Sequence, residues 1–362
     1  MHRQSDVTIP HEELHALVSG AFTERGVPAD RAATAASALC HGDLCGFTSH
    51  GVFNLPRLYL PLFESGRVDP RAELTTGTDL GACASVDAGR ALGLWAAAEA
   101  VDRAVERAEE HGIGLLAVRG ATHFGCVGFH AARAAERGMI GVVAGNCGGQ
   151  RIARPPLGAL TMLGTNPLAI AAPALPDHPF VLDMSTTAVP TGKVRLAAAD
   201  RTEIPAGWLA DDAGRPVTDP AAFDGGTAHL RWLGGDVETG AHKGFGLGLA
   251  VELLAALLSG SGLGPAPEAL RGDGGPHGHD DDIGCFVLAI AADRLRPDFA
   301  AAARAMFGTL LDCPSIDADA QVRYPGWWEA ERSLRRRRDG VPLRPELHRQ
   351  LLELRDAEPV AG

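Results

Sequence analysis

The sequence predicts an α/β protein with helical ends, and three observations carry that prediction. A short apolar run bounded by glycine, Ile113–Val118, precedes a helical stretch through Ala131 to Glu136, a Gly138 stop and a second apolar run, Met139–Val143. That strand–helix–strand succession implies a sheet layer with crossovers. Helical periodicity dominates both termini. Finally, the glycine cluster closest to a dinucleotide fingerprint, Gly244-x-Gly246-x-Gly248, lacks the buried strand such a motif needs, because Leu233–Thr239 does not read as one. A doubly wound Rossmann sheet is therefore rejected.

In chain order, Thr8 is placed to cap a helix starting at Pro10, with Glu12 and Glu13 in its first turn. Leu14, Leu17, Val18 and Phe22 share one apolar face, and Gly26 ends the helix. A second helix, Ala29 to Cys40, leads into the glycine-rich Gly42–Gly51 and then Leu55-Pro56-Arg57. Gly89–Glu110 reads as a long amphipathic helix before the first apolar run. After Leu163–Pro167, short apolar runs (Leu168–Ala172, Phe180–Leu182) alternate with Pro and Gly, the second ending in Asp183. Thr191–Val194 and a polar stretch with Trp208 and Asp211 follow. Gly240–Gly248 then enters an apolar helix expected to be mostly core. Gly264–Asp282 reads as a loop, Cys285–Ile290 as a strand, and the end as helices Asp298–Leu311, Trp327–Arg338 and Pro345–Leu354. The expected organisation is a helical lobe from 1–75 and 296–362, and an α/β lobe over 76–295 that holds cofactor and substrate.

A chain of 362 residues can bury a large core, and 46% hydrophobic with 22% charged residues is ordinary for a globular enzyme. A net charge of −12 argues against nucleic-acid or anionic-membrane partners, which need a basic surface. The Arg335–Arg338 run reads as a solvated helix face. With no leader-like segment and no apolar run of about 18 residues, a cytoplasmic protein is expected. Seven scattered cysteines without a C-x-x-C pair fit reduced thiols. His277–Asp282 holds potential metal ligands but lacks helix or strand patterning, so a polar surface loop is expected and no metal site.

Lys occurs only at 193 and 243 among 33 basic residues. Arginine substitutes poorly where a compact ammonium is required, so both lysines are candidate ligand contacts. A helix N-terminus beside Lys243 and Gly244 can hold an anion. Two histidines stand next to hydroxyl residues and close to glycines, at Ser49-His50-Gly51 and Thr122-His123-Phe124-Gly125. Imidazole titrates near neutrality, and a neighbouring glycine lets a substrate approach the backbone. Asp183 ends an apolar run, where a carboxylate needs a partner such as His or Lys. No G-x-S-x-G elbow is present, so hydrolase chemistry has little support.

Read together and in order, Gly42-Asp43-Leu44, Ser49-His50-Gly51-Val52, Leu55-Pro56-Arg57, His123-Phe124-Gly125, Leu163-Gly164-Thr165-Asn166-Pro167, Val181–Ser185, Gly192-Lys193-Val194, His242–Gly246 and Arg323–Gly326 resemble the malate/L-lactate dehydrogenase family of the non-Rossmann type. The resemblance runs from about residue 10 to 355. It implies the family's own α/β fold, a mixed sheet with flanking helices, and a homodimer with the active site near the subunit contact; the terminal helical lobe is the expected dimer contact. It implies hydride transfer between NAD or NADP and a 2-hydroxy acid/2-keto acid pair, or reduction of a cyclic imine. His50 matches the family's proton donor/acceptor, and His123 a second cleft histidine that some members are thought to use as the base; Asp183 joins them as a catalytic candidate. Asp183, Met184, Ser185, Thr186, Thr187, Gly192, Lys193, His242, Lys243, Gly244 and Gly326 match cofactor-contacting segments. Ser49, Asn54, Arg57 and Thr165 fall on the substrate side.

The sequence departs from the family pattern at Asn54, where members commonly carry an Arg that holds the substrate carboxylate. A neutral amide lacks that charge-assisted grip, so the expected substrate is larger, neutral at that end, or gripped by Arg57, Arg151 or Arg154. The loop Asn146–Arg151 also differs. A cofactor-binding protein without catalysis is a third reading, opposed by the intact His50, His123, Asp183 and Lys243.

Overall fold

The computed structural model describes residues 6–272, 274–275, 282–317 and 319–356. The chain opens with β1 (Val7–Ile9), α1 (His11–Thr23) and α2 (Ala29–Cys45). Thr8 does not cap α1. It lies in β1 opposite Pro342, and Pro10 takes the N-cap position without a side-chain bond. Pairing with a distant strand, which also buries Ile9, outcompetes the local cap. α2 continues past Cys40 and stops at Gly46, whose φ of +88° closes it in the left-handed region.

A 3₁₀ turn (Thr48–His50) and a π-helical turn (Leu55–Tyr59) lead to α3 (Leu60–Glu64). Next come β2 (Thr75–Asp79), β3 (Cys83–Asp87), α4 (Gly93–His111), β4 (Ile113–Ala121), α5 (Val127–Glu136), β5 (Ile140–Gly145), β6 (Leu168–Leu175) and β7 (His178–Met184). A smaller region follows: α6 (Thr191–Asp200), β8 (Leu209–Ala210), β9 (Pro216–Val217), α7 (Ala221–Asp224) and β10 (His229–Leu230). α8 (Ala241–Val251) runs into a π-helical stretch, Glu252–Leu257. The chain then forms β11 (Ile283–Ile290), α9 (Ala292–Leu295), α10 (Phe299–Leu311), α11 (Trp327–Asp339), β12 (Val341–Leu343) and α12 (Pro345–Asp356).

The main sheet is seven-stranded and mixed, in the order β2-β3-β4-β11-β5-β6-β7. The expected β4–α5–β5 unit exists, but its strands do not pair. β11 is inserted between them and runs antiparallel to both. The parallel pair is β3 with β4, joined through α4. A local hydrophobic pattern reveals a crossover; it cannot reveal a strand arriving from far along the chain.

Leu14, Phe22 and Leu39 of the N-terminal helices share one core with Trp95 of α4, Leu116 of β4 and Val287 of β11. Each fully buried side chain of this size contributes about 1.5–3 kcal/mol. The terminal segments meet through β1–β12 pairing and packing of α12 on α1. Within 76–295 a second core, including Val194, Leu209, Phe223 and Trp232, supports the three-stranded sheet β10-β8-β9.

The apolar helix beginning at Ala241 is not mostly core: Leu247, Leu253, Leu254, Leu257 and Leu258 are exposed. All seven cysteines are free. Among the described residues, no helix is long and apolar enough to cross a membrane.

Candidate active site

The segment from Ser49 to Tyr59 builds one wall of the site. The end of α2 anchors it. Buried Asp43 accepts the Val52 N–H at 2.6 Å, and Gly51 lies so close to that carboxylate that a Cβ would have no room. The 3₁₀ turn thereby presents His50, whose Nδ1 is 3.1 Å from Ser49 Oγ. Its Nε2 has no hydrogen-bond partner among the described residues. Asn54, 2% exposed, donates to the Ser49 carbonyl at 2.7 Å and accepts from Arg57 at 2.8 Å. Asn54, expected on the substrate side, lines the cavity with both ends of its amide bonded to protein, and it braces Arg57. Phe53 adds a ring 5.2 Å from the Arg57 guanidinium.

The facing wall comes from the β4–α5 turn, the ends of β5 and β7, and α6. His123 lies with its ring 6.1 Å from that of His50, the two planes 25° apart. Its Nδ1 is 2.8 Å from Tyr59 Oη and accepts the Gly125 N–H at 3.2 Å. Asp183, at the end of β7, was expected to face His or Lys. Its carboxylate accepts the Gly128 N–H at 2.8 Å in the first turn of α5, and burial raises it to about 6. The Thr165 hydroxyl sits 3.5 Å from Cys147 Sγ. α6 opens directly against the histidine turn: a Cβ on Gly192 would meet Ser49 Cβ at 2.6 Å.

These walls enclose a cavity of about 490 Å³. Of the expected residues, His50, His123, Asp183, Met184, Ser185, Thr187, Gly192, Lys193, Ser49, Asn54, Arg57 and Thr165 all line it. The cavity is cationic. Burial first, then His123, Lys193 and Arg57, lower His50 to about 3, so its imidazole is neutral at physiological pH. Burial and Arg195 also lower Arg57. Such a site stabilises an anion beside a neutral base.

Other expected residues lie elsewhere. Thr186 is fully buried and bonds the Thr165 carbonyl through both its N–H and its hydroxyl, at 2.9 Å each. His242 and Lys243 stand exposed at the start of α8. The N–H groups of Ala241, Lys243 and Gly244 are spent on Asp236, Gly240 and Leu233 carbonyls, so Gly244 offers no free donor to a phosphate. A Cβ on Gly244 would lie 2.5 Å from Leu233 backbone atoms; this glycine serves close helix packing. Gly326 likewise packs on β7, where a Cβ would lie 2.8 Å from the Pro179 carbonyl. Arg151 donates to the Gly264 carbonyl at 2.6 Å and Arg154 pairs with Asp212 at 2.6 Å; of the three arginines, Arg57 lines the cavity.

Sequence reasoning missed Tyr59, although it is one of only two tyrosines, and assigned no site role to Arg195, which lines the cavity. Among the described residues no cluster of three His, Cys, Asp or Glu side chains could hold a metal. His277 to Asp281 of the expected polar loop lie outside the described residues.

Comparison with known proteins agrees with this geometry. The malate/L-lactate dehydrogenase family profile matches residues 9–352. The chain belongs to this family. It is 38% identical over 258 residues to a malate dehydrogenase of Pyrococcus abyssi, covering 70% of this chain and 69% of that protein. It is 34% identical over 316 residues to a (2R)-3-sulfolactate dehydrogenase (NADP(+)) of Chromohalobacter salexigens, covering 87% and 88%. The solved structure of Δ1-piperideine-2-carboxylate reductase from Pseudomonas syringae superimposes with a TM-score of 0.82 at 27% identity, over 96% of this chain and 99% of that one. The protein is a malate/L-lactate dehydrogenase-type oxidoreductase with this family's mixed-sheet fold.

Proposed function

We propose that this dehydrogenase interconverts a small 2-hydroxy acid and its 2-keto acid with NAD or NADP, using His50 as proton acceptor and donor. The observation that carries the reading is a single cavity holding neutral His50, His123 and Arg57. Arg57, braced by Asn54, takes the substrate carboxylate through charge-assisted bonds. With Nδ1 engaged by Ser49, His50 accepts the hydroxyl proton at Nε2 as the 2-hydroxy acid is oxidised. In reduction it returns that proton, and the bound carboxylate offsets the repulsion from Arg57 and Lys193 that otherwise disfavours imidazolium.

The residues present fit a nicotinamide dinucleotide. The N-terminus of α6, with Thr191, Gly192 and Lys193 on the cavity wall, supplies N–H groups and an ammonium for phosphate oxygens. Ser185 and Thr187 lie on the same wall. His242 and Lys243 remain proposed contacts for the far end of the dinucleotide, because α8 packs on Leu233, which lines the cavity. When bound, the cofactor supplies or receives the hydride. The Chromohalobacter relative named for NADP(+) supports including that cofactor in any assay.

The test is a spectrophotometric screen of both cofactors against 2-hydroxy and 2-keto acids, followed by His50→Ala on the best substrate. Turnover in the wild type with loss in the variant is expected, with cofactor binding retained. Full turnover in His50→Ala would remove the proton role. A second reading, reduction of a cyclic imine, is favoured by similarity to the piperideine-2-carboxylate reductase and by Asn54 in place of the usual Arg. Cyclic imines belong in the same screen, and a higher kcat/KM for them than for keto acids would select this reading.

The proposal extends to a cytoplasmic homodimer. Free cysteines fit the reducing setting, and the exposed leucines of Leu247–Leu258 form a continuous apolar helix face that supports self-association. Replacing Leu254 and Leu257 with Asp is expected to yield monomers by light scattering; an unchanged mass would exclude this face.

A further inference from the structure

The second cavity histidine has a hydrogen-bonding arrangement that limits what it can do. A backbone N–H has no alternative to donating, so the Gly125 N–H on His123 Nδ1 means that this nitrogen carries no proton. Tyr59, which can donate or accept, must then donate to the same atom across 2.8 Å. With Nδ1 occupied by two donors, the proton of the neutral ring sits on Nε2. Protonating the ring further would set an N–H against two N–H and O–H donors, in a cavity already holding Arg57, Lys193, Arg195 and His50. Asp183, the acid on the same wall, is directed to the Gly128 N–H.

From this geometry we infer that His123 is a fixed neutral hydrogen-bond donor through Nε2, held in that tautomer by Tyr59 and Gly125, and that it does not carry the transferred proton. Its work is to polarise and orient the substrate C–O bond while His50 alone exchanges the proton. Tyr59 is the positioning residue. It is fully buried, and it sits at the end of the same π-helical turn that carries Arg57, a few residues after His50. One short segment therefore supplies the proton carrier, the carboxylate grip and the tautomer lock. π-Helical turns of this kind are frequent at functional sites.

The inference rests on the proposed dehydrogenase reading for its catalytic half only, and two experiments separate the halves. In the first, ¹⁵N NMR of histidine-labelled protein, with the resonance assigned by its loss in His123→Gln, reads the tautomer without any substrate. Unprotonated Nδ1 and protonated Nε2 are expected, with the Nδ1 resonance moving in Tyr59→Phe as one donor is lost. A proton on Nδ1, or an Nδ1 resonance that ignores Tyr59→Phe in a folded variant, overturns the lock. The second is kinetic. Gln places an amide N–H near the Nε2 position but cannot titrate, so His123→Gln should keep kcat within about tenfold of wild type, whereas His123→Leu should lose about 10²–10³-fold, as for other oriented donors. A Gln variant as inactive as Leu overturns the donor role. Absence of wild-type turnover with any substrate defeats the dehydrogenase reading, and with it the catalytic half; the NMR result still decides the tautomer.

Discussion

Asp43 gives a sharp test of how the histidine turn is held. Its carboxylate lies in the last turn of α2, 2% exposed, bonded to the Val52 N–H and pressed against Gly51. Burial is the dominant influence and holds it up at about 7, against 3.8 ordinarily. Because the folded value is the higher one, the native state binds more protons between those two pH values. The molecule is thus most favoured below about pH 4 with respect to this group, and loses up to about 4 kcal/mol as pH rises through 7. Asn removes the titration while keeping a carbonyl for the Val52 N–H. Relative to wild type, Asp43→Asn should therefore be about 2–3 kcal/mol more favourable at pH 8 than at pH 5, read from urea unfolding midpoints. Asp43→Ala leaves the Val52 N–H unpartnered, costing about 1–3 kcal/mol, and loosens the turn, so kcat should fall in Ala and persist in Asn. A stability difference between Asn and wild type that does not change with pH would refute the shifted carboxyl. Wild-type kcat in the Ala variant would refute the positioning role.

His130 should show the opposite pH trend. It is fully buried and lowered to about 3 by burial, below its unfolded value of 6.5, so the unfolded chain binds the extra proton and wild type loses stability as pH falls. His130→Gln, which can still donate to the Phe124 carbonyl, should gain about 2 kcal/mol on wild type between pH 7 and pH 5 in the same assay; no gain would contradict a neutral buried imidazole. Gly246→Ala, with nothing within 4 Å of the added Cβ, should stabilise by about 0.5–1 kcal/mol, whereas Gly244→Ala should destabilise because backbone atoms at 2.5 Å cannot yield. Calorimetric midpoints of the pair check this, and equal shifts would contradict it. Arg57→Leu should raise KM for a keto acid about 10–100-fold, with a smaller rise for Asn54→Ala, measured by initial rates; an unchanged KM would assign the carboxylate elsewhere.

The parts of this fold legible in the sequence are those whose signal is local. The β4, α5 and β5 runs, α4 and the three long C-terminal helices carry periodicities that do not depend on distant partners. What escaped depends on remote pairing or on very short elements. Examples are β11 inserted between β4 and β5, β1 with β12, and the two-residue strands of the small sheet. The site divides the same way. His50 and His123 were readable because histidines set beside hydroxyl residues and glycine stand out along the chain, whereas Arg57 and Thr165 came only from the resemblance to the family's motifs. Rarity also found Lys193, which lines the cavity, but the same argument applied to Lys243 led to an exposed helix start, and it was never applied to Tyr59.

Local reading fails most clearly at Arg335–Arg338. Arg335, Arg337 and Arg338 are exposed, as a solvated helix face should be. Arg336 turns inward and donates to the Asp43 carbonyl, while Arg332, one turn earlier, donates to the Cys45 carbonyl at 2.6 Å. Two guanidiniums from α11 therefore close the C-terminus of α2, where unpaired carbonyls and the negative end of the helix dipole attract cations. The carboxylate of the same Asp43 holds Val52 and the turn bearing His50. A basic run that looks like surface decoration along the chain thus braces, from the far end of the sequence, the helix terminus on which the turn bearing His50 is mounted. Charge patterning specifies a face; only the fold decides which member of the run is given to the core.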